Sequence, residues 1–186
     1  MMAKISYSPK IILVTETVLL KQIELSDAPD IFKTIDNQRS YLGKWLPFVE
    51  FTSNVQDSEN YVRSVLDTPI EDREYVFVIH VRGVFAGLIG FKATDKLNKR
   101  TEIGYWLSES FQKQGIMTDS VKALMQFAYH ELDIHRIQIK CAVGNFPSKN
   151  IPRRLGFQLE GIERDGELLS GGRYIDIEVY SKIFYL

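Results

Sequence analysis

The sequence predicts an α/β or α+β domain built on one mixed sheet, and three observations carry that prediction. Stretches with the period of strands alternate with stretches with the period of helices, in the order β-α-α-β-β-β-α-β-α-β-β. A β-α-β unit over residues 100–143 demands a parallel pair, because a parallel connection needs a crossover and a helix supplies it. The chain has 186 residues, 45% of them apolar and 25% charged, which suits one soluble domain with one sizeable core. A single domain over residues 1–186 is therefore expected.

The elements follow in order. "TVLLKQIEL" (17–25) reads as a strand. Ser26 or Asp27 can cap the helix after it, with Pro29 early in the first turn, where a missing N–H costs little. "SNVQDSENYVRSVLDT" (53–68) has capping residues ahead of Tyr61, Val62, Val65 and Leu66 at helical spacing. "EYVFVIHVRGVFAGLIGFKATD" (74–95) reads as a hairpin turning near Arg82-Gly83. "RTEIGYWLS" (100–108) is a strand with Glu102, Gly104 and Trp106 on one face and Ile103, Tyr105 and Leu107 on the other. A helix runs from Ile116 to Leu132, and "HRIQIKCAVGN" (135–145) is the next strand. "SKNIPRRLGF" (148–157) is a short helix with Ser148 at its N-cap, shortened or bent by Pro152. "FQLEGIERDG" and "RYIDIEVYSKI" are the last two strands, with Glu167 in the turn between them. In the final strand Asp176 alternates inward with Tyr174, which implies either a structural hydrogen bond or a contact with the substrate amine.

Composition and missing motifs exclude several functions. A net charge of −1 argues against a broad footprint for nucleic acid or anionic lipid. One cysteine, Cys141, allows no internal disulfide and suits a reducing compartment; it reads as core. The opening "MMAKISYSPKIILVTETVLL" is broken by Pro9, Thr15, Glu16 and Thr17, so neither a signal peptide nor a spanning helix is expected, and the cytoplasm is. No HExxH, CxxC or carboxylate cluster is present, so no metal is expected. His80, His130 and His135 are scattered and read as structural. GxSxG, the P-loop and an early GxGxxG are absent as well.

One stretch, "FQKQGIMTDS" (111–120), is left as a candidate site. A strand, a short turn and a helix N-terminus aim several unpaired amides one way, and the helix dipole adds positive charge there. Gly115 would let that backbone approach a phosphate or pyrophosphate without a Cβ in the way. The turn alone is equally compatible with a mere change of direction. Phosphate binding by backbone without metal favours a carried cofactor such as coenzyme A over a nucleotide that is cleaved.

The same residues resemble a known family. Gln112-Lys113-Gln114-Gly115-Ile116-Met117 is similar to the Q/R-x-x-G-x-G/A signature with which GNAT N-acetyltransferases wrap the pyrophosphate of acetyl-CoA. Met117 stands where a small residue is usual, a departure shared with the branch that acetylates ribosomal-protein N-termini. "EIGYWL" (102–107), "CAVGNFPSKNIPRRLGFQLEG" (141–161) and "NQRSYLGKWLPF" (37–48) resemble segments of the ribosomal-protein-serine acetyltransferases in the same order. The resemblance runs from about Val18 to Tyr185. It implies a mixed, mostly antiparallel sheet of about seven strands flanked by about four helices, with β-α-β strands that splay to admit the pantetheine arm.

The resemblance also implies roles. Residues Gln112 to Thr118 and Asn145 would bind acetyl-CoA, Asn145 along the pantetheine arm. Ser148 would protonate the coenzyme A thiolate, although N-cap duty competes for its hydroxyl. Glu102 would lie near the acceptor amine, or else be a strand-end carboxylate paired with Arg100 or Arg136. Glu167 falls where one member of the branch carries a carboxylate proposed as base; a solvated turn residue is the alternative. Trp45, Phe48 and Phe51 belong to the core or to the lip of a substrate cleft. The acceptor is first a protein N-terminal α-amine, with a small amine such as a polyamine or amino sugar as rival. A silent acyl-CoA sensor is the reading from another class. Acceptor choice should lie in loops 38–60 and 163–173, and the oligomeric state, a homo-oligomer included, stays open.

Overall fold

Period-two burial is clearest in Val18–Gln22 (β2), where every second residue is buried. The computed structural model describes residues 9–69 and 71–185, so the first eight residues of the opening segment read above lie outside it. Before β2 comes a strand the sequence reading did not separate, Ile11–Leu13 (β1), antiparallel to it. The helical run after β2 is not continuous. It splits into Ala28–Asn37 (α1) and Arg39–Leu42 (α2) at Gln38, whose φ of −133° is not helical, and a further turn forms at Phe48–Phe51 (α3). Asp27 precedes α1 without capping it; its carboxylate accepts from Glu24 N and pairs with Lys21. Val55–Leu66 (α4) is capped by Asn54 in a reciprocal box with Asp57.

The hairpin turns where the sequence placed it. Val76–Val81 (β3) and Val84–Asp95 (β4) are joined by Arg82 and Gly83, both at positive φ, the geometry a two-residue hairpin loop needs. Arg100–Leu107 (β5), Ile116–Leu132 (α5) and Arg136–Ala142 (β6) make the β-α-β unit, and β5 and β6 are parallel. Phe146–Arg154 (α6), Gln158–Leu169 (β7) and Arg173–Ile183 (β8) complete the chain. Glu167 therefore lies in β7, opposite Ile175, and not in a turn. Tyr174 and Asp176 do not point into a core: Tyr174 is exposed, and Asp176 accepts from Asp165 N at 2.9 Å.

The eight strands form one sheet in the order β1-β2-β3-β4-β5-β6-β8-β7, antiparallel except for β5 and β6. Two cores flank it. Phe77 and Ile79 face α5 and α6, with Ile103, Leu124, Phe127 and Ile137. Val78, between them in β3, faces α1 and α4, with Ile31, Ile35, Val62 and Trp106. Strands covered on both faces become largely apolar, as "VFVIHV" is apart from His80. Among the described residues no helix is long and apolar enough to cross a membrane.

Candidate active site

The stretch 112–118 is built to present amides. Lys113 and Gly115 both sit at positive φ, 61° and 79°, so the chain doubles back before α5 starts. The first amide of α5 to meet a carbonyl is that of Asp119, which donates to Gly115 O at 3.0 Å. Among the described residues, the amides of residues 113–118 have no acceptor. They form the N-terminal anion seat that helix geometry dictates. The loop ahead of them is held from α2: Tyr41 Oη donates to Leu107 O at 3.3 Å and accepts from Gln112 Nε2. Gln38 adds hydrogen bonds to Ser108 Oγ and from Glu109 N.

Strands β5 and β6 pair only at their start. Partners run from Arg100–Arg136 to Glu102–Gln138 and stop, and beyond them the strands separate. The gap expected there is present. α6 begins beside it. Its N-cap is Asn145, whose Oδ1 accepts from Ser148 N at 3.3 Å, and not Ser148. This releases the Ser148 hydroxyl from the cap; it donates to Cys141 Sγ at 3.3 Å and lies 3.3 Å from Tyr105 Oη. Pro152 explains the position of Tyr105. A residue with an amide at 152 would bond the Ser148 carbonyl; proline cannot, and Tyr105 Oη donates to that carbonyl instead, at 3.2 Å. α6 nevertheless continues to Arg154.

Burial sets the protonation of this cluster. It pushes the Tyr105 phenol well above its usual value and the Cys141 thiol up to about 11, so both keep their protons at neutral pH. Beneath α6, Lys149 pairs with the buried Glu178 at 3.1 Å, and Glu178 accepts from Tyr180 Oη at 2.9 Å. Burial, with Glu178 beside it, pushes Tyr180 up to about 12. This pair tethers the helix that carries Ser148 to β8.

A cavity of about 420 Å³ unites these parts. Gln112, Lys113, Gln114, Gly115, Ile116, Met117, Thr118, Asn145 and Ser148 all line it. Glu102 and Glu167 do not. Glu102 is buried at the closed end of the gap, where Lys92 Nζ pairs with it at 2.7 Å and Gln138 Nε2 donates to it at 2.9 Å. It is a paired carboxylate, but its partners are not Arg100 or Arg136. Glu167 is exposed on the edge strand β7. Cys141 is buried as expected, yet it also touches Ser148.

Sequence reasoning missed Tyr41 and Arg154 as site residues and held Tyr105 only as an alternative to Ser148 for the proton donor. Tyr105 had a signal, a polar hydroxyl on the apolar face of β5. Arg154 lies across from the glycine turn, its Nη1 3.5 Å from Thr118 Oγ1, and nothing in "IPRRLGF" distinguishes it from Arg153.

The comparisons with known proteins agree with this geometry. The model of the acetyltransferase (GNAT) domain matches residues 17–158. The ribosomal-protein-serine acetyltransferase of Escherichia coli K12 is 30% identical over 172 residues, which cover 91% of this chain and 94% of that protein. The structure of RimL, a ribosomal L7/L12 alpha-N-protein acetyltransferase in complex with coenzyme A, matches with a TM-score of 0.89 at 32% identity, covering 94% of this chain and 98% of that one. The microcin C7 self-immunity acetyltransferase MccE, in complex with acetyl-CoA and AMP, matches with a TM-score of 0.86 at 29% identity over 92% and 94% of the two chains. With a family model across most of its length and relatives of this identity and coverage, the chain belongs to the GNAT acetyltransferase family and is an N-acetyltransferase.

Proposed function

We propose that the protein transfers the acetyl group of acetyl-CoA directly to the N-terminal α-amine of a protein, with a ribosomal protein as the acceptor its relatives' names suggest. One observation carries the choice of amine. Among the described residues the cavity is lined by no Asp or Glu, while Lys113 and Arg154 add positive charge. An alkyl amine with a pKa of about 10.4 is almost wholly charged at neutral pH and needs a strong base beside it. An α-amine, with a pKa of about 7.7–8.0, is already neutral in roughly a tenth of molecules, and water suffices to take its proton. A polyamine would also find no carboxylate for its second cation.

The chain's own residues divide the work. The amides of 113–118 hold the pyrophosphate, with Arg154 alongside. Asn145 spends its carbonyl oxygen on the α6 cap and keeps its NH₂ for the pantetheine arm. The amine attacks the thioester carbonyl, the C–S bond breaks, and Ser148 Oγ–H gives its proton to the sulfur. Solvent, which took the amine proton, returns one to Ser148, and Tyr105 Oη, 3.3 Å away, holds that hydroxyl in place. The test is thiol release from acetyl-CoA with a panel of N-terminal peptides, spermidine and amino sugars. Peptide turnover with spermidine inert is expected. Turnover of spermidine alone overturns the proposal.

A further inference from the structure

We infer that Trp45 is the specificity-determining residue of the acceptor site, its indole setting how large a side chain the acceptor's first residue can carry. This rests on the α-amine reading above. The cavity has two kinds of wall. The glycine turn and the start of α6 supply the parts suited to a cofactor. Another part of the lining, with Tyr41, Leu42, Trp45 and Leu46, comes from α2 and the turn after it and is mostly apolar.

Trp45 is the residue of that part that lies beside the turn presenting Asn145 and Ser148: its Cη2 is 3.7 Å from where a Cβ of Gly144 would stand. Gly144 has φ of +90°, a conformation that disfavours any side chain there. The indole thus closes on bare backbone beside the group that protonates the leaving sulfur. An amine arriving at the thioester must bring its own Cα substituent into the space that remains under Trp45.

The wall is also fixed, which selection by size requires. Trp45 N bonds Leu42 O at 3.2 Å, and Leu42 is buried. Arg39 staples the following segment through Val49 O at 2.9 Å and Thr52 O at 2.7 Å. Gln38 and Tyr41 anchor α2 to the loop before α5. Discrimination by a rigid apolar wall is worth about 10–200-fold per methylene.

The experiment compares kcat/KM for two series of peptides that differ only in the first residue, Gly, Ser or Ala against Leu or Phe. The enzymes are the wild type, Trp45→Ala and the milder Trp45→Leu, each checked for a cooperative melt. The wild type is expected to favour the small residues at least tenfold. Either variant, whichever folds, should narrow that ratio tenfold or more, chiefly by raising turnover of the large residues. An unchanged ratio in a folded variant overturns the inference while leaving the α-amine reading intact. A variant that instead changes the preference for acetyl-CoA over propionyl-CoA, at an unchanged peptide ratio, also overturns it, because Trp45 then borders the acyl group. If the wild type acetylates none of the peptides, the α-amine reading fails, and this inference falls with it.

Discussion

Tyr105 Oη donates to the carbonyl oxygen of Ser148 at 3.2 Å, the acceptor that Pro152 leaves without an amide. The phenol is thereby fixed beside the Ser148 hydroxyl, which has no cap duty because Asn145 caps the helix, and which donates to Cys141 Sγ. The cap thus falls to Asn145, and Ser148 is left for the acid role proposed for it.

Ser148→Ala should lower kcat by about a hundredfold, the usual contribution of a general acid, and leave the melting temperature nearly unchanged. Asn145→Ala should behave differently, costing about 1 kcal/mol of stability through the lost cap. Tyr105→Phe should fall between, since it strands the Ser148 carbonyl and removes the phenol beside the Ser148 hydroxyl. Steady-state kinetics and thermal melts on the three variants check this. Full turnover by Ser148→Ala with an early melt would return Ser148 to a structural role.

Gly115→Asp should weaken coenzyme A binding at least tenfold, or about 1.4 kcal/mol. The new carboxylate would sit among amides that have no acceptor and compete for them. Crowding is not the cause, because a Cβ at Gly115 would come no nearer than 3.6 Å to Asp119 Oδ2. Gly115→Ala should therefore leave coenzyme A affinity nearly intact and lose about 1–2 kcal/mol of stability, for a Cβ at φ of +79°. Calorimetric titration with coenzyme A separates the two. Equal affinities for wild type and a folded Gly115→Asp would remove the turn from cofactor binding.

Glu102→Gln should keep most of the activity. Both carboxylate oxygens are engaged, one by Lys92 and one by Gln138, at the closed end of the strand gap. A loss of kcat near the roughly hundredfold expected of a general base, without loss of fold, would restore Glu102 as that base.

Alkaline pH should destabilise the protein before it destabilises most of its surface contacts. Burial holds Cys141 at about 11 and Tyr180 at about 12, above the ordinary 9.0 and 10.0. Both folded-state values lie above the unfolded ones. Their contribution is therefore complete below pH 9 and is lost as pH rises through 9 to 12. Melting temperatures from pH 7 to 11 should stay level and then fall above about 9. Cys141→Ala should remove the first part of that fall. An identical alkaline limb in Cys141→Ala would show that the thiol does not govern it.

Much of the fold was legible because its signals are local. The hairpin at Arg82-Gly83, α5 from Ile116 to Leu132 and the parallel β5–β6 pair each follow from turn chemistry or periodicity within one short stretch. The break at Gln38 and strand β1 were not legible. The first depends on hydrogen bonds from Gln38 to a loop some seventy residues away, and the second on an antiparallel partner that gives three residues their only regular pairing.

The sequence by itself determined the glycine turn and its helix, because positive φ and a helix N-terminus are properties of a few consecutive residues. It also set the spacing that brings Asn145 and Ser148 to one end of α6. Only the tertiary structure decided what those residues do. Ser148 lost the cap to Asn145 and acquired Tyr105 from another strand. Glu102 acquired Lys92 and Gln138 from the strands on either side of it and turned away from the cavity. Trp45 came to lie beside Gly144. A side chain's role depends on which partners satisfy its polar atoms and fill its contact surface, and here those partners are up to about a hundred residues distant in the chain.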